Sequence, residues 1–215
     1  MSLRLSGGRK LQSPPGSTAR PTPARVRQAV MNMLSAEIPG CSWLDLCCGS
    51  GVMACEAIQR GARRVVAVDQ DRRMAATARG NLTLVAAAQT PPAEVTVVQQ
   101  EILRWLRQGP ASCATLGANG EGQAGFDLIY ADPPYASGLY PQICEAIAAG
   151  EWLNPGGHLL LECASADRPG LPQSWSVLKE RRYGTTTVLM LDATVEVLGA
   201  TMEEPGNPEP EHTRD

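Results

Sequence analysis

Trp43-Leu44-Asp45-Leu46-Cys47-Cys48-Gly49-Ser50-Gly51-Val52-Met53-Ala54-Cys55-Glu56-Ala57 decides the fold: an apolar strand that stops at a glycine pair and turns straight into a helix. A short apolar run ending in Gly-x-Gly, followed by small and apolar residues at helical spacing, is the first βα turn of a nucleotide-binding α/β sheet. Glycines there let backbone approach a ligand closely, and the free N–H groups at the helix start offer it partial positive charge.

Two occupants compete for that turn. Gly49-x-Gly51-x-x-Ala54 fits a dinucleotide fingerprint, with Asp69 ending the next apolar run, Val65-Val66-Ala67-Val68, at about the ~20-residue separation of a ribose ligand. Asp45 discriminates. A carboxylate inside an apolar strand is costly to bury unless something hydrogen-bonds it. A pyrophosphate would make it a liability, whereas a ligand bearing an amino group would welcome it. The residues resemble the Asp-x-x-x-Gly-x-Gly signature of S-adenosylmethionine-dependent methyltransferases. That resemblance implies Gly49, Ser50 and Gly51 at the methionine end of the cofactor, Asp45 at its amino group, directly or through water, and Asp69 on its ribose hydroxyls.

A chain of 215 residues, 43% of them hydrophobic, is long enough for one catalytic domain. Its 22 acidic and 19 basic residues balance to −3, which advertises no polyanion partner, but the distribution is uneven. From Met1 to Gly40, six basic residues (Arg4, Arg9, Lys10, Arg20, Arg25, Arg27) face Glu37 alone, while Glu203, Glu204, Glu209, Glu211 and Asp215 face Arg214 after Gly199. A basic front end could follow phosphates or be solvated surface. Three regions are expected: a basic arm and helix packed on the core (1–40), the catalytic domain (41–195) and an acidic, disordered tail (196–215). No stretch approaches the ~20 apolar residues of a membrane span, and no secretory signal opens the chain. The seven cysteines (Cys41, Cys47, Cys48, Cys55, Cys113, Cys144, Cys163) lack zinc-type spacing and read as small buried hydrophobes of a reducing cytoplasm. No metal site is expected.

Leu3 to Pro23, rich in Gly, Pro, Ser and Arg, suggests a hairpin or arm rather than a packed element. Thr22 can cap a helix with Pro23 in its first turn, followed by Val26, Ala29, Val30, Met33 and Leu34 at helical spacing. Arg25 and Arg27 near its start oppose the helix dipole, a placement that an anionic neighbour would repair. Strands are then expected at Arg64 to Val68, Val95 to Val98, Phe126 to Ala131 and Gly157 to Glu162. Helices are expected at Arg72 to Ala88, Ile102 to Arg107 and Gly138 to Ala149, and Trp175 to Arg182 with Thr185 to Leu191 should close the sheet as an antiparallel pair. Gly109 to Gly125 reads as a surface insertion. Alternating βα units imply a parallel sheet with right-handed crossovers, whose ligands sit beyond the carboxyl ends of the strands, where Gly49, Asp69 and Glu101 all fall. By the methyltransferase resemblance, Glu101 would hold the adenine amino group; otherwise it caps the helix that follows it.

The strand Phe126 to Ala131 runs into Asp132-Pro133-Pro134-Tyr135. Two prolines remove two backbone donors and stiffen the turn. Its carbonyls and the Asp132 carboxylate are all acceptors, which suits a substrate that brings an –NH₂. Tyr135 offers a flat face for a base, worth ~1–3 kcal/mol in nucleic-acid complexes. In isolation the same residues could be a proline turn that merely ends a strand. In series with Asp45, Gly49, Gly51, Asp69 and Glu101, they resemble the [DN]-Pro-Pro-[YF] element of amino-group methyltransferases. That resemblance implies that Asp132 and the Pro133 carbonyl accept the two amine hydrogens, with Pro134 and Tyr135 completing the catalytic corner. With Trp152-Leu153-Asn154-Pro155-Gly156-Gly157 before the next strand, the layout also resembles the Rossmann-like class I methyltransferase fold, a seven-stranded, mostly parallel sheet with a C-terminal antiparallel pair.

Gly7-Gly8-Arg9-Lys10-Leu11 and Ala19-Arg20-Pro21-Thr22-Pro23-Ala24-Arg25-Val26-Arg27-Gln28-Ala29-Val30-Met31-Asn32-Met33-Leu34 resemble the N-terminal motifs of bacterial 16S ribosomal RNA guanine-N2 methyltransferases. The likeness spans roughly Arg4 to Asp192; Gln28 stands where the pattern has glutamate, Met31 where it has phenylalanine, and the hairpin is a few residues short. It implies that Arg20 and Thr22 border S-adenosylmethionine and that Arg9, Lys10, Arg25 and Arg27 meet RNA phosphate. The substrate would be 16S rRNA or an assembling small subunit, met by a monomer in the cytoplasm. The other readings are an adenine-N6 methyltransferase of DNA or RNA, a catalytically silent RNA-binding protein of the same fold, and an NAD-binding oxidoreductase.

Overall fold

Leu44, Leu46, Val65, Val66, Ala67 and Val68 are all buried, which a strand shielded by helices on both faces requires. The computed structural model describes residues 3–13, 22–113, 115–116 and 122–194. Helix α1 (Ala24–Met33) leads into β1 (Ser42–Leu46), α2 (Val52–Gln59), β2 (Arg64–Asp69), α3 (Arg72–Ala86), β3 (Glu94–Gln99) and α4 (Ile102–Leu106). A short ribbon, β4 (Thr115–Leu116) with β5 (Gly122–Gln123), precedes β6 (Phe126–Ala131), α5 (Tyr140–Ala149), β7 (Leu153–Ala164), β8 (Trp175–Tyr183) and β9 (Thr186–Ala193).

The seven-stranded sheet has the order β3-β2-β1-β6-β7-β9-β8. Strands β1, β2, β3, β6 and β7 pair in parallel, while β9 runs antiparallel to both β7 and β8. The chain winds outward from β1 to β3, then returns to place β6 on the other flank of β1. That reversal is the topological switch point, where open α/β sheets bind ligands beyond the strand ends.

Alternation along each strand divides the core in two. Trp43, Val65, Ala67, Leu128, Tyr130, Leu160, Val188 and Met190 face α1, α2 and α3. Leu44, Leu46, Val66, Val68, Ile129, Leu159, Leu161, Leu189 and Leu191 face α4 and α5. Trp105 lies 4.5 Å from Trp152, between ring centroids, and Phe126 lies behind Trp152.

The N-terminal segment differs from expectation. It is one of the two forms expected, a hairpin, with Leu5 N donating to Arg9 O and Leu11 N to Leu3 O, both at 2.9 Å, but it is a packed element. Leu5 and Leu11 are each 3% exposed within the α1–α3 core. Thr22 does not cap α1. Pro23 occupies the cap position, and no side chain bonds the helix start. Thr22, one residue earlier, is out of reach of the helix donors.

Helix α3 ends two residues short of the expected Ala88, and α5 starts at Tyr140 after a 3₁₀ turn, Tyr135–Ser137. Strand β7 begins at Leu153 rather than Gly157 because its pairing with β6 shifts register between Phe126 and Leu128. Gly157 sits at that bulge, where a Cβ would meet the Phe126 carbonyl at 2.9 Å. In the 109–125 stretch, Arg64 donates to the carbonyls of Gly125 (2.9 Å) and Cys113 (3.0 Å) while its guanidinium stacks 4.3 Å over Phe126. Among the described residues, no helix is long and apolar enough to cross a membrane. The acidic segment from 196 lies outside them.

Candidate active site

The site grows from the way β1 ends. Asp45, 1% exposed, faces back under the following loop, where its Oδ2 accepts from Ala54 N at 3.0 Å. The chain then leaves the strand through three left-handed residues, Cys47 (φ 59°), Gly49 (φ 54°) and Gly51 (φ 72°). A cysteine in that region is strained, and such strain persists only where its surroundings over-determine it. The two glycines differ in their surroundings. A Cβ on Gly51 would lie 2.5 Å from Leu82 Cδ1, so glycine is required for α2 to seat on α3. A Cβ on Gly49 would meet nothing within 4 Å, so open space lies beside the loop at the strand tips.

Two further side chains hold this loop. Asp69 Oδ2 accepts from Gly49 N and its Oδ1 from Asp71 N, both at 2.8 Å. Asn81, fully buried on α3, donates to Ser50 O (3.0 Å) and to Gln12 O (3.1 Å), and its Oδ1 accepts from Gln12 N (2.8 Å). Asn81 thereby clamps the N-terminal hairpin to the glycine loop. Glu101 is exposed and caps α4, accepting from Leu103 N (2.9 Å) and Arg104 N (2.7 Å).

On the other flank of the switch point, β6 delivers Asp132, whose N–H still donates to Leu46 O at 3.3 Å. The carboxyl Oδ2 lies 3.5 Å from Thr22 Oγ1, so Thr22 serves the site instead of the helix. Pro133 O receives a long contact from Tyr140 OH at 3.5 Å. Tyr135 presents a ring 41% exposed while its hydroxyl is tied to Glu162 Oε1 and Thr186 Oγ1, each at 3.4 Å.

Sequence reasoning missed Glu162. It is 2% exposed, takes the hydroxyl of Tyr130 on Oε2, and its carbonyl accepts from Tyr140 OH at 3.0 Å. The signal was present: an acid ending the apolar run Leu159-Leu160-Leu161, as Asp45 interrupts its own strand. Carboxylates thus stand at the tips of all five parallel strands: Asp45, Asp69, Glu101, Asp132 and Glu162.

Burial raises the proton affinity of Asp45, Asp69, Asp132 and Glu162, and neighbouring charges come second, adding to it at the first three. Burial pushes Asp45 up to about 7 against the bond from Ala54, with Asp69 adding to the rise. Asp132 is pushed up to about 8, first by burial and then by Glu162 and Asp45, with the Thr22 hydroxyl opposing. Burial also raises Glu162 and, against two backbone bonds, Asp69. Low-dielectric acids clustered in this way are a receptor for a cation or for N–H donors. Among the described residues no group of His, Cys, Asp and Glu could hold a metal ion.

The basic residues separate into two groups. Arg25 and Lys10 are exposed, and Arg9 is exposed with its Nη1 on Leu84 O at 3.3 Å. Arg27, expected to meet phosphate, does not face solvent: it is 4% exposed, donates to Thr22 O (2.8 Å) and Arg4 O (2.6 Å), and lies 3.5 Å from Glu56. It sits on the buried face of α1, where the fully buried Glu56 needs a counter-charge and also takes Arg60 at 2.7 Å. Arg20 lies outside the described residues.

The strand order is that of a class I methyltransferase. Residues 5–192 match the family model described as "Conserved hypothetical protein 95", and the chain belongs to that family. Over 178 residues it is 29% identical to ribosomal RNA small subunit methyltransferase D of Haemophilus influenzae, covering 82% of this chain and 84% of that protein. The protein of the same description from Escherichia coli is 26% identical over 187 residues, covering 85% of each. Among solved structures, an Escherichia coli protein provisionally described as a methyltransferase superimposes with a TM-score of 0.70 at 25% identity, covering 90% of this chain and 98% of that one.

Proposed function

We propose that the protein is an S-adenosylmethionine-dependent rRNA methyltransferase that methylates the exocyclic N2 of a guanine in 16S rRNA. The single observation that carries this reading is the Asp132 carboxylate set at the switch point, followed by two prolines that offer no backbone donor. Asp132 follows the end of β6, paired with the end of β1, which leads into the loop where open space lies beside Gly49. The names of the relatives, ribosomal RNA small subunit methyltransferases, support the substrate class.

The residues present fit the cofactor. Gly49 leaves space beside the loop, and Asp45, Asp69 and Glu101 suit an amino group, ribose hydroxyls and an adenine amine. When bound, it supplies an electrophilic sulfonium methyl. The chain's own work is alignment, which can contribute ~7–11 kcal/mol. Asp132 and Pro133 O accept the two amine hydrogens, holding the nitrogen lone pair toward the methyl. Pro134 keeps the corner rigid, and Tyr135 stacks the base with its hydroxyl held by Glu162 and Thr186. An amine that accepts the methyl would shed one proton. Asp132, raised to about 8, can take it and pass it to water.

In the same reading the exposed Arg9, Lys10 and Arg25 meet RNA phosphate, and Arg20, outside the described residues, borders the cofactor. The protein acts as a cytoplasmic monomer on 16S rRNA or an assembling small subunit. Nucleoside mass spectrometry of ribosomal RNA from cells lacking the protein tests the proposal: one N2-methylguanosine should disappear. Loss of N6-methyladenosine instead would overturn the choice of base.

A further inference from the structure

A polyanion faces an obstacle at this site, because the strand tips present Asp45, Asp69, Glu101, Asp132 and Glu162. Cations must hold its phosphates close to Tyr135 yet off the acidic centre, and Arg27 is not one of them, being buried against Glu56. The register of β8 and β9 shows what else lies there. Thr186, whose hydroxyl touches Tyr135 OH at 3.4 Å, pairs with Tyr183 at the site end of the sheet. Two and four residues back along β8, Arg181 pairs with Val188 and Lys179 with Met190. Val188 and Met190 belong to the core on the α1 side, so Arg181 and Lys179 project from that same face. Both are exposed on the outermost strand, about 6.6 Å apart by strand rise. Among the described residues the ion pairs are Arg27–Glu56, Arg60–Glu56 and Arg168–Glu180, and neither Arg181 nor Lys179 belongs to one.

We infer that Arg181 and Lys179 form a phosphate-binding rim, on the β8 edge that runs back from Tyr183 and Thr186, that holds the backbone of the RNA flanking the target base. The inference rests on the proposed RNA substrate and adds a second point of contact, on the outer edge of the sheet face that α1 covers. Charges on an edge strand also discourage strand pairing between molecules. That duty needs a charge on either face, whereas these two share the face that leads to Thr186 and Tyr135.

The test is binding of full-length protein to small-subunit rRNA across a salt series, with the Arg181→Gln/Lys179→Gln double variant. Loss of two phosphate contacts should weaken binding about tenfold or more and flatten the log–log salt dependence by roughly 1.4, the single-strand value for two contacts. S-adenosylmethionine affinity should be unchanged, which shows that the variant is folded, and Arg181→Lys should retain wild-type binding. Arg63→Gln, at the opposite end of the sheet, should do nothing. RNA affinity and salt slope equal to wild type overturn the rim, including where the double variant only becomes less soluble, as a mere edge guard would. Because binding is read directly, absence of methyl transfer by the wild-type protein would count against the proposed reaction and not against the rim.

Discussion

Asp132 meets opposed demands: it must be a carboxylate to orient an amine, yet burial beside Glu162 and Asp45 drives it toward the neutral acid. Asp132→Ala is expected to leave S-adenosylmethionine affinity within about threefold while lowering the single-turnover transfer rate by ~10²–10⁴; retained transfer would remove Asp132 from the chemistry. The two loop glycines should separate in their effects. Gly51→Ala drives a methyl against Leu82 in a left-handed backbone and should cost ~2–4 kcal/mol in denaturant unfolding. Gly49→Ala meets open space, so its cost is the backbone strain of roughly 1 kcal/mol, and the larger loss should appear in cofactor affinity by calorimetry. Tyr135→Phe keeps the ring and frees Glu162 and Thr186, whereas Tyr135→Ala removes the platform. The alanine variant should lose ~10–100-fold in kcat/KM for RNA, the stacking energy of one base, and the phenylalanine variant much less.

At the scale of elements, the buried Arg27–Glu56–Arg60 cluster joins the hairpin, α1 and α2, with Ser6 N also donating to Glu56 Oε1 at 2.9 Å. Removing one partner of a buried pair strands the other charge. Arg27→Ala is therefore expected to destabilise the fold by about 3 kcal/mol and to leave the salt dependence of RNA binding unchanged. A flatter salt slope with unchanged stability would return Arg27 to the RNA. Helix α1 thus divides its basic residues by face: Arg27 ties the helix down and Arg25 remains exposed.

Across the whole molecule, the ring of strand-tip acids links proton binding to folding and to the cofactor. Asp45 and Asp132 titrate near 7 and 8 in the folded chain but near the usual carboxylate value of about 4 when unfolded. The folded state therefore holds more protons in between, and stability should fall as pH rises from about 4 through 8. A bound cation favours the carboxylates, so S-adenosylmethionine affinity should rise through the upper part of that window. The demethylated product, whose sulfur is neutral, should show a weaker rise. Calorimetric titrations at several pH values check both; a pH-independent affinity would mean that these acids are already ionised in the free protein.

Much of this organisation follows from sequence alone. The apolar runs ending at Gly49, Asp69, Glu101 and Asp132 are local patterns, and a parallel sheet puts such ends on one edge whatever the details of packing. Glycine spacing, paired prolines and an acid inside an apolar strand are likewise legible, because each constrains its own stretch of backbone. Only the tertiary structure decided which arginine of α1 is buried, that Thr22 turns to Asp132, that Asn81 clamps Gln12 to Ser50, and that Glu162 anchors Tyr135. Each of those depends on partners 27 to 110 residues away, and no local pattern encodes which distant group will arrive to satisfy a buried donor or charge.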